Sequence, residues 1–252
     1  MKLRLFYNKS VHENAAYYYE LAKETKKKIE GLKKAIKETE KELKGAPGGE
    51  RERPRVKKER KWYEKFHYFF TSGNRLAIGG RSAQQNDRVV AKHMEDSDLF
   101  FHADIQGGSA VILKEGRHAT QEEKEEAAQF AACFSRAWAN ANAAVDVYAV
   151  GKSQLSKHAT GGYIPSGAFA ISGEREWFRS TRLRLKIGLK EEKVLVTPAV
   201  SPVSLEDMMF LLPSKTGKEK GSLAKSLAKR YKVHPDELLE ALPNGKSKTV
   251  VG

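Results

Sequence analysis

Cysteine is almost missing from this chain. One thiol, Cys133, among 252 residues excludes an internal disulfide framework and any zinc site built on four cysteines. No apolar run approaches the ~20 residues of a transmembrane helix, and the opening stretch MKLRLFYNKSVHEN has no signal-peptide core. The address these absences predict is the cytosol, with no membrane partner. Acidic residues are also short: 46 Lys and Arg face 32 Asp and Glu, a formal net charge of +14. A basic protein of this size usually meets a polyanion. With 40% apolar residues the chain can fill a core, so wholesale disorder is excluded.

The charge is unevenly spread. Residues 1–62 hold 19 basic and 10 acidic residues, a net of +9. Residues 63–190 hold 17 and 14, a net of +3, and residues 191–252 hold 10 and 8, a net of +2. This is a basic arm on a nearly neutral body.

The arm, 1–61, reads as one long helix from Ser10 to about Lys44. Ser10 and Glu13 form a capping box. Val11, Ala15, Tyr18, Ala22, Ile29, Leu32, Ile36 and Leu43 make a thin stripe with coiled-coil spacing. Such a helix needs a partner, which points to a protein partner or self-association. Residues 45–49 end it, and 51–61 are a second basic stretch broken at Pro54.

The body, 62–190, has a globular texture. His67–Thr71 and Leu76–Ile78 predict a hairpin around Ser72-Gly73-Asn74, followed by a helix over Ser82–His93. Strands follow at Leu99–Ala103 and Ala110–Leu113. Thr120 and Glu123 cap a long helix running to about Asn142, with Cys133 on its buried side as a core thiol. Further strands are predicted at Val145–Val150, Ala168–Ser172 and Leu183–Gly188. The fold class is α+β, a mixed, mostly antiparallel sheet with two main helices. In the tail, 191–252, Val194–Val196 is a short strand. Gly221–Tyr231 and Pro235–Leu242 are two short helices, either packed on the body or forming half of a helix-turn-helix.

Four constellations could carry function. Ile78-Gly79-Gly80-Arg81-Ser82-Ala83-Gln84-Gln85-Asn86 runs from a strand through two glycines into a capped helix start, where free N–H groups favour an anion. It lacks the Gly-Lys-Ser/Thr ending of a Walker loop and the third glycine of the dinucleotide fingerprint. Phe101-His102-Ala103-Asp104 delivers His102 and Asp104 two residues apart on one strand face. That pair suits loop fixing, contact with a base or ribose, acid–base work or a metal, but no spacing completes a metal set. Lys152 to Tyr163, with Lys157, is a basic, hydroxyl- and Gly-rich loop of the kind single-stranded RNA sites use. Arg179 to Ile187 alternates with period two, placing Arg182, Arg184 and Lys186 on one strand face as a polyanion footprint. Solvated loops and faces are the alternative for both.

Taken in order, Trp62-Tyr63-Glu64-Lys65-Phe66, Ile78-Gly79-Gly80-Arg81 with Gln84-Gln85-Asn86, His102-Ala103-Asp104, Gln154-Leu155-Ser156-Lys157 and Ser166-Gly167-Ala168-Phe169 resemble the NFACT-R domain. This is the RNA-binding domain of NFACT proteins of ribosome-associated quality control. Ser10 to Ala16 resembles the start of the family's middle coiled coil, here very short. The resemblance covers about residues 62–188 and implies binding to tRNA, rRNA or the large ribosomal subunit without catalysis or cofactor. It places RNA contacts at Arg81, Gln84, Gln85, Asn86, His102, Asp104, Lys152 and Lys157. The cations Arg182 and Arg184 add to these from the strand pattern. Two positions depart from the family, which usually carries a second His where Gln106 stands and an acidic residue where Gly162 stands. The sequence resembles a stand-alone NFACT-R protein of archaeal type, or a fragment of a longer one. The competing reading is an RNA-processing enzyme, a nuclease or modification factor, using His102 and Asp104.

Overall fold

The computed structural model describes residues 5–7, 10–45, 61–157, 164 and 166–251. The expected basic stretch over 51–60 and the Gly-rich half of the loop, 158–163, lie outside the described residues. The chain divides into two units, Met1–Lys58 and Glu59–Gly252.

In the first unit, helix α1 spans Val11–Gly45. Its capping box forms as the sequence predicts: Glu13 N–H donates to Ser10 Oγ (3.3 Å), and Ser10 N–H to Glu13 Oε2 (2.7 Å). Val11, Ile29, Leu32 and Ile36 of the stripe are exposed.

The second unit is built on two sheets. The first has the order β1-β2-β4-β3-β5-β8, all neighbours antiparallel. Its strands are β1 His67–Phe70, β2 Leu76–Gly79, β3 Leu99–Ala103, β4 Val111–Leu113, β5 Ala144–Gly151 and β8 Glu176–Arg182. A small pair, β6 Leu155–Ser156 with β7 Ala170–Ile171, lies between β5 and β8 in the chain. Helix α2, Ala83–His93, is capped by Ser82. Helix α3, Gln121–Cys133, is closed by the Thr120–Glu123 capping box.

Alternation sorts the sheet residues between two cores. Phe69, Phe101, Val111 and Phe178 pack with Ala127, Phe130 and Ala131 of α3. Phe66, Ile78, Phe100, Ile112 and Tyr148 pack with Val89 of α2. Each fully buried Phe or Ile removes enough apolar surface for about 1.5–3 kcal/mol. Cys133 is buried in the first core, where burial raises its thiol pKa.

Three expectations are corrected. The long helix to Asn142 breaks after Cys133, because Ser135 caps a new short helix, α4 Arg136–Ala139. Ser135 Oγ donates to Ala132 O (2.7 Å) and accepts from Ala137 N–H (3.1 Å), so the hydroxyl competes with helix continuation. The strand placed at Leu183–Gly188 is instead β9, Leu185–Lys190, and it belongs to the second sheet. Arg182, Arg184 and Lys186 therefore share no strand face. Lys186 is buried, its ammonium donating to Ser201 O and to Val203 O (2.9 Å).

The third correction concerns the tail. It contributes three strands as well as its two helices: β10 Lys193–Pro198, β11 Glu206–Lys218 and β12 Ser247–Val251. With β9 they form a sheet ordered β10-β9-β11-β12. Helices α5, Lys220–Tyr231, and α6, Pro235–Ala241, match the two predicted helices. The expected boundary at residue 190 falls inside the β9–β10 hairpin. Leu185, Ile187, Leu211, Leu223 and Leu238 join the α3-side core. Trp138 of α4 is fully buried and donates to Ser247 Oγ of β12 (3.0 Å).

Candidate nucleic-acid interface

A cleft of about 630 Å³ opens at the end of the first sheet where β1 and β4 begin and β2 and β3 finish. His67 and His102 both line it from opposite sheet faces. His67 pairs across the ladder with Gly79, which aligns with Val111 and Phe101 on the α3 face. His102 pairs with Tyr148 on the α2 face. The cleft thus wraps around the sheet end, with the loop 104–109 between its two sides.

The start of α2 supplies Gly80, Arg81, Ser82, Ala83 and Asn86. Asn86 is buried and joins this start to the 104–109 loop. Its Oδ1 accepts from Ala110 N–H (3.2 Å), and its Nδ2 donates to Gly108 O (3.4 Å). Gly80 is required here, since a Cβ on it would lie 2.2 Å from Asn86 Oδ1. Gly108 is required for the opposite contact, 2.9 Å from a would-be Cβ to His102 Nε2.

The guanidinium of Arg81 turns inward. It donates to Glu64 O (3.2 Å) and Phe66 O (2.9 Å) and pairs with Glu240 of α6 (3.2 Å). Gln85 also closes on its own surroundings, with Oε1 accepting from Arg81 N–H (3.0 Å) and Nε2 donating to Lys65 O (3.5 Å). Both residues lock the helix start in place.

The other predicted residues divide. Lys157 sits at the rim, paired with Asp87, donating to Ala168 O (2.6 Å), and 4.0 Å over the Phe169 ring. Phe169 and Ala168 line the cleft. Burial opposes ionisation of Asp87, but hydrogen bonds from Lys157, Ser166 and Gly167 outweigh it and lower its pKa. Gln106 lines the cleft as well. Gln84 and Asp104 are exposed and are not among the lining residues. Lys152 lies toward the other end of the strands, because Gly151 pairs with Leu99 while Tyr148 pairs with His102. Arg182 is exposed at the end of β8, and Arg184 lies 3.6 Å over the Phe210 ring. Neither lines the cleft.

Several contributors are absent from the sequence expectations. Arg136 lines the cleft, is exposed, and makes no ion pair among the described residues. Its signal was Ser135, a cap hidden inside what reads as continuous helix. Phe134, Tyr148, Phe100 and Phe169 supply ring surface. His67 stacks on Phe134 (4.1 Å between centroids) and its buried Nδ1 has no hydrogen-bond partner among the described residues. Burial first, then Arg81 and Lys220, hold its imidazole well below the ordinary histidine pKa. Burial, aided by Arg81, pushes Lys220 down to about 8. Its ammonium donates to Asn244 Oδ1 (2.9 Å), and Asn244 lines the cleft. His102 is lowered by burial, partly offset by Ala103, Asp104 and Gly108. The α3-side half of the cleft is therefore under cationic pressure, with a neutral imidazole and an exposed arginine. The α2-side half is lined by rings. Among the described residues, no group of three or more His, Cys, Asp or Glu is placed to hold a metal.

Known proteins give the same assignment. Residues 65–173 match the family model of the NFACT protein RNA binding domain. The archaeal Rqc2 homolog aRqcH of Methanocaldococcus jannaschii is 37% identical over 76% of this chain and 30% of its own length. The ribosome quality control complex subunit NEMF homolog of Drosophila melanogaster is 35% identical over 71% of this chain and 19% of its own. Human ribosome quality control complex subunit NEMF is 34% identical over 69% and 17%. The chain thus spans less than a third of the length of these relatives. Residues 65–173 thus form a domain of the NFACT-R RNA-binding family, and the chain is homologous to the Rqc2/NEMF factors over about 70% of its length.

Proposed function

We propose that this protein binds tRNA or rRNA on the large ribosomal subunit through the cleft at the sheet end, in ribosome-associated quality control and without catalysis of its own. The observation that carries the reading is the coincidence of cleft and family segment. All the residues that line the cleft except Asn244 fall within 65–173. The chemistry suits RNA. Arg136 offers an exposed cation for phosphate, and the half-buried Phe169 and His102 offer ring surface for unstacked bases. The basic arm adds salt-dependent attraction from its net +9 over residues 1–62.

The test is binding of deacylated tRNA and of purified large ribosomal subunits to the full chain and to Arg136→Glu. Loss of about tenfold or more in affinity for either ligand is expected, because a phosphate-facing cation becomes a repelling anion. Unchanged affinity for both would remove the cleft from the interface.

A further inference from the structure

Strand β8 forms one edge of the first sheet, next to β5. Its first residues, Glu176 to Arg179, alternate in the face they present. Glu176 and Phe178 face α3, where Lys124 pairs with Glu176 (3.1 Å) and Phe178 enters the core. Arg175, Trp177 and Arg179 occupy the other face, where Trp177 pairs with Tyr148 of β5. Rings therefore continue outward from the cleft wall. His102 and Tyr148 are 5.9 Å apart between centroids, and Tyr148 and Trp177 are 5.6 Å apart.

Two guanidinium groups lie along this row. Arg175 stands 4.7 Å over the Tyr148 ring and 5.8 Å from that of Trp177. Arg179 stands 3.9 Å over the Trp177 ring. Asp146 holds Arg179 from below at 2.7 Å and accepts from Ser180 N–H (2.8 Å). That bond fixes the plane of a guanidinium that stays 61% exposed. Arg175 is exposed and has no ion pair among the described residues. Trp177 is half-buried, packing against the α2-side core, and the two arginines cover its outer side. Planar cations stacked on rings, beside a cleft that also offers rings, match a chain of planar bases linked by anions.

We infer that the β5–β8 face, through Arg175, Trp177 and Arg179 laid over the buried Tyr148, binds unpaired RNA bases as a strand leaves the cleft. The inference rests on the proposed function for the RNA itself. It adds Arg175, Trp177 and Arg179, which lie beyond the family match ending at residue 173, and a preference for single-stranded over duplex RNA. Bases stack on the open sides of the guanidinium planes and on Trp177, and phosphates follow the arginines.

The experiment titrates the full chain with a ten-nucleotide oligouridine and with an RNA duplex of equal length, in parallel with tRNA. Trp177→Ala is expected to weaken oligouridine binding at least about fivefold and to leave duplex binding unchanged. The double variant Arg175→Ser with Arg179→Ser, which keeps the tryptophan, is expected to do the same. In a Trp62→Phe background, oligouridine is expected to quench tryptophan fluorescence, and Trp177→Ala to abolish the quenching. Oligouridine affinity unchanged in both variants, while tRNA still binds, would overturn the inference and leave the proposed function standing. Failure of every RNA to bind would overturn both. A hexaglutamate peptide that bound as tightly as oligouridine would mark an acidic-protein docking face and overturn the assignment to RNA.

Discussion

Two short helices start on this cleft, each with a serine cap beside an arginine, and they use the arginine in opposite ways. At α2, Arg81 precedes the helix and buries its guanidinium against two backbone carbonyls and Glu240. At α4, Arg136 follows Ser135 and keeps its guanidinium in the cleft, without an ion pair among the described residues. The sequence makes Arg81 the conspicuous one, since it follows two glycines and precedes a capped helix. The structure gives Arg81 a structural task and leaves Arg136 exposed in the cleft, the cation that the proposed function assigns to phosphate. A positive charge in a motif says little until its partners are counted.

The contrast predicts separable effects. Arg81→Ala should be the most damaging change, about 2–3 kcal/mol of unfolding free energy by urea denaturation, because charge-assisted bonds to carbonyls are lost together. A stability loss below about 0.5 kcal/mol would break the contrast from the Arg81 side. Asn86→Ala should follow at about 1–3 kcal/mol, since it strips the Ala110 N–H of its acceptor. The 104–109 loop should then loosen, visible as faster amide exchange there.

Acidification should act next. The His67 pKa is lowered in the folded state by burial and by Arg81 and Lys220. Below the unfolded value of about 6.5 the unfolded chain binds the proton and the folded one resists it. The stability His67 permits is therefore complete above about pH 6.5 and falls as pH drops, by at most about 1.4 kcal/mol per pH unit. Comparing wild type with His67→Gln between pH 7.5 and 5 isolates this slope, and equal slopes would mean that His67 is not held neutral. Arg136→Ala should have the smallest effect on folding, within about 0.5 kcal/mol.

How much of this was legible follows the physics of each element. The β1–β2 hairpin and the starts of α2 and α3 could be read because their signals are local: a Ser-Gly-Asn turn and two serine or threonine caps with Gln or Glu three residues on. The second sheet could not. Pro198 and Pro202 mark breaks, β11 carries Pro213 and Gly217 inside it, and its register with β12 shifts between Pro213 and Lys218. Its strands are defined by distant partners rather than by local pattern. Lys186 shows the same limit, since period-two spacing placed it outward and a strand buried on both faces placed it inward.

The site was half legible for a related reason. The blocks that resemble the family lie toward the end of the sheet where the cleft opens, with Arg81, Asn86, His102 and Lys157 at or beside it. They did not separate residues that hold the cleft together from residues left facing into it. His67, Arg136 and Trp177 carry no motif of their own and gain their positions from packing.

The salt dependence of tRNA binding tests the central claim most directly. Affinities of wild type and Arg136→Ala are measured from about 50 to 200 mM salt, and the logarithm of affinity is plotted against that of salt concentration. If Arg136 is the cation that meets phosphate in the cleft, its removal lowers the slope by about one. Parallel lines with equal affinities would contradict the account.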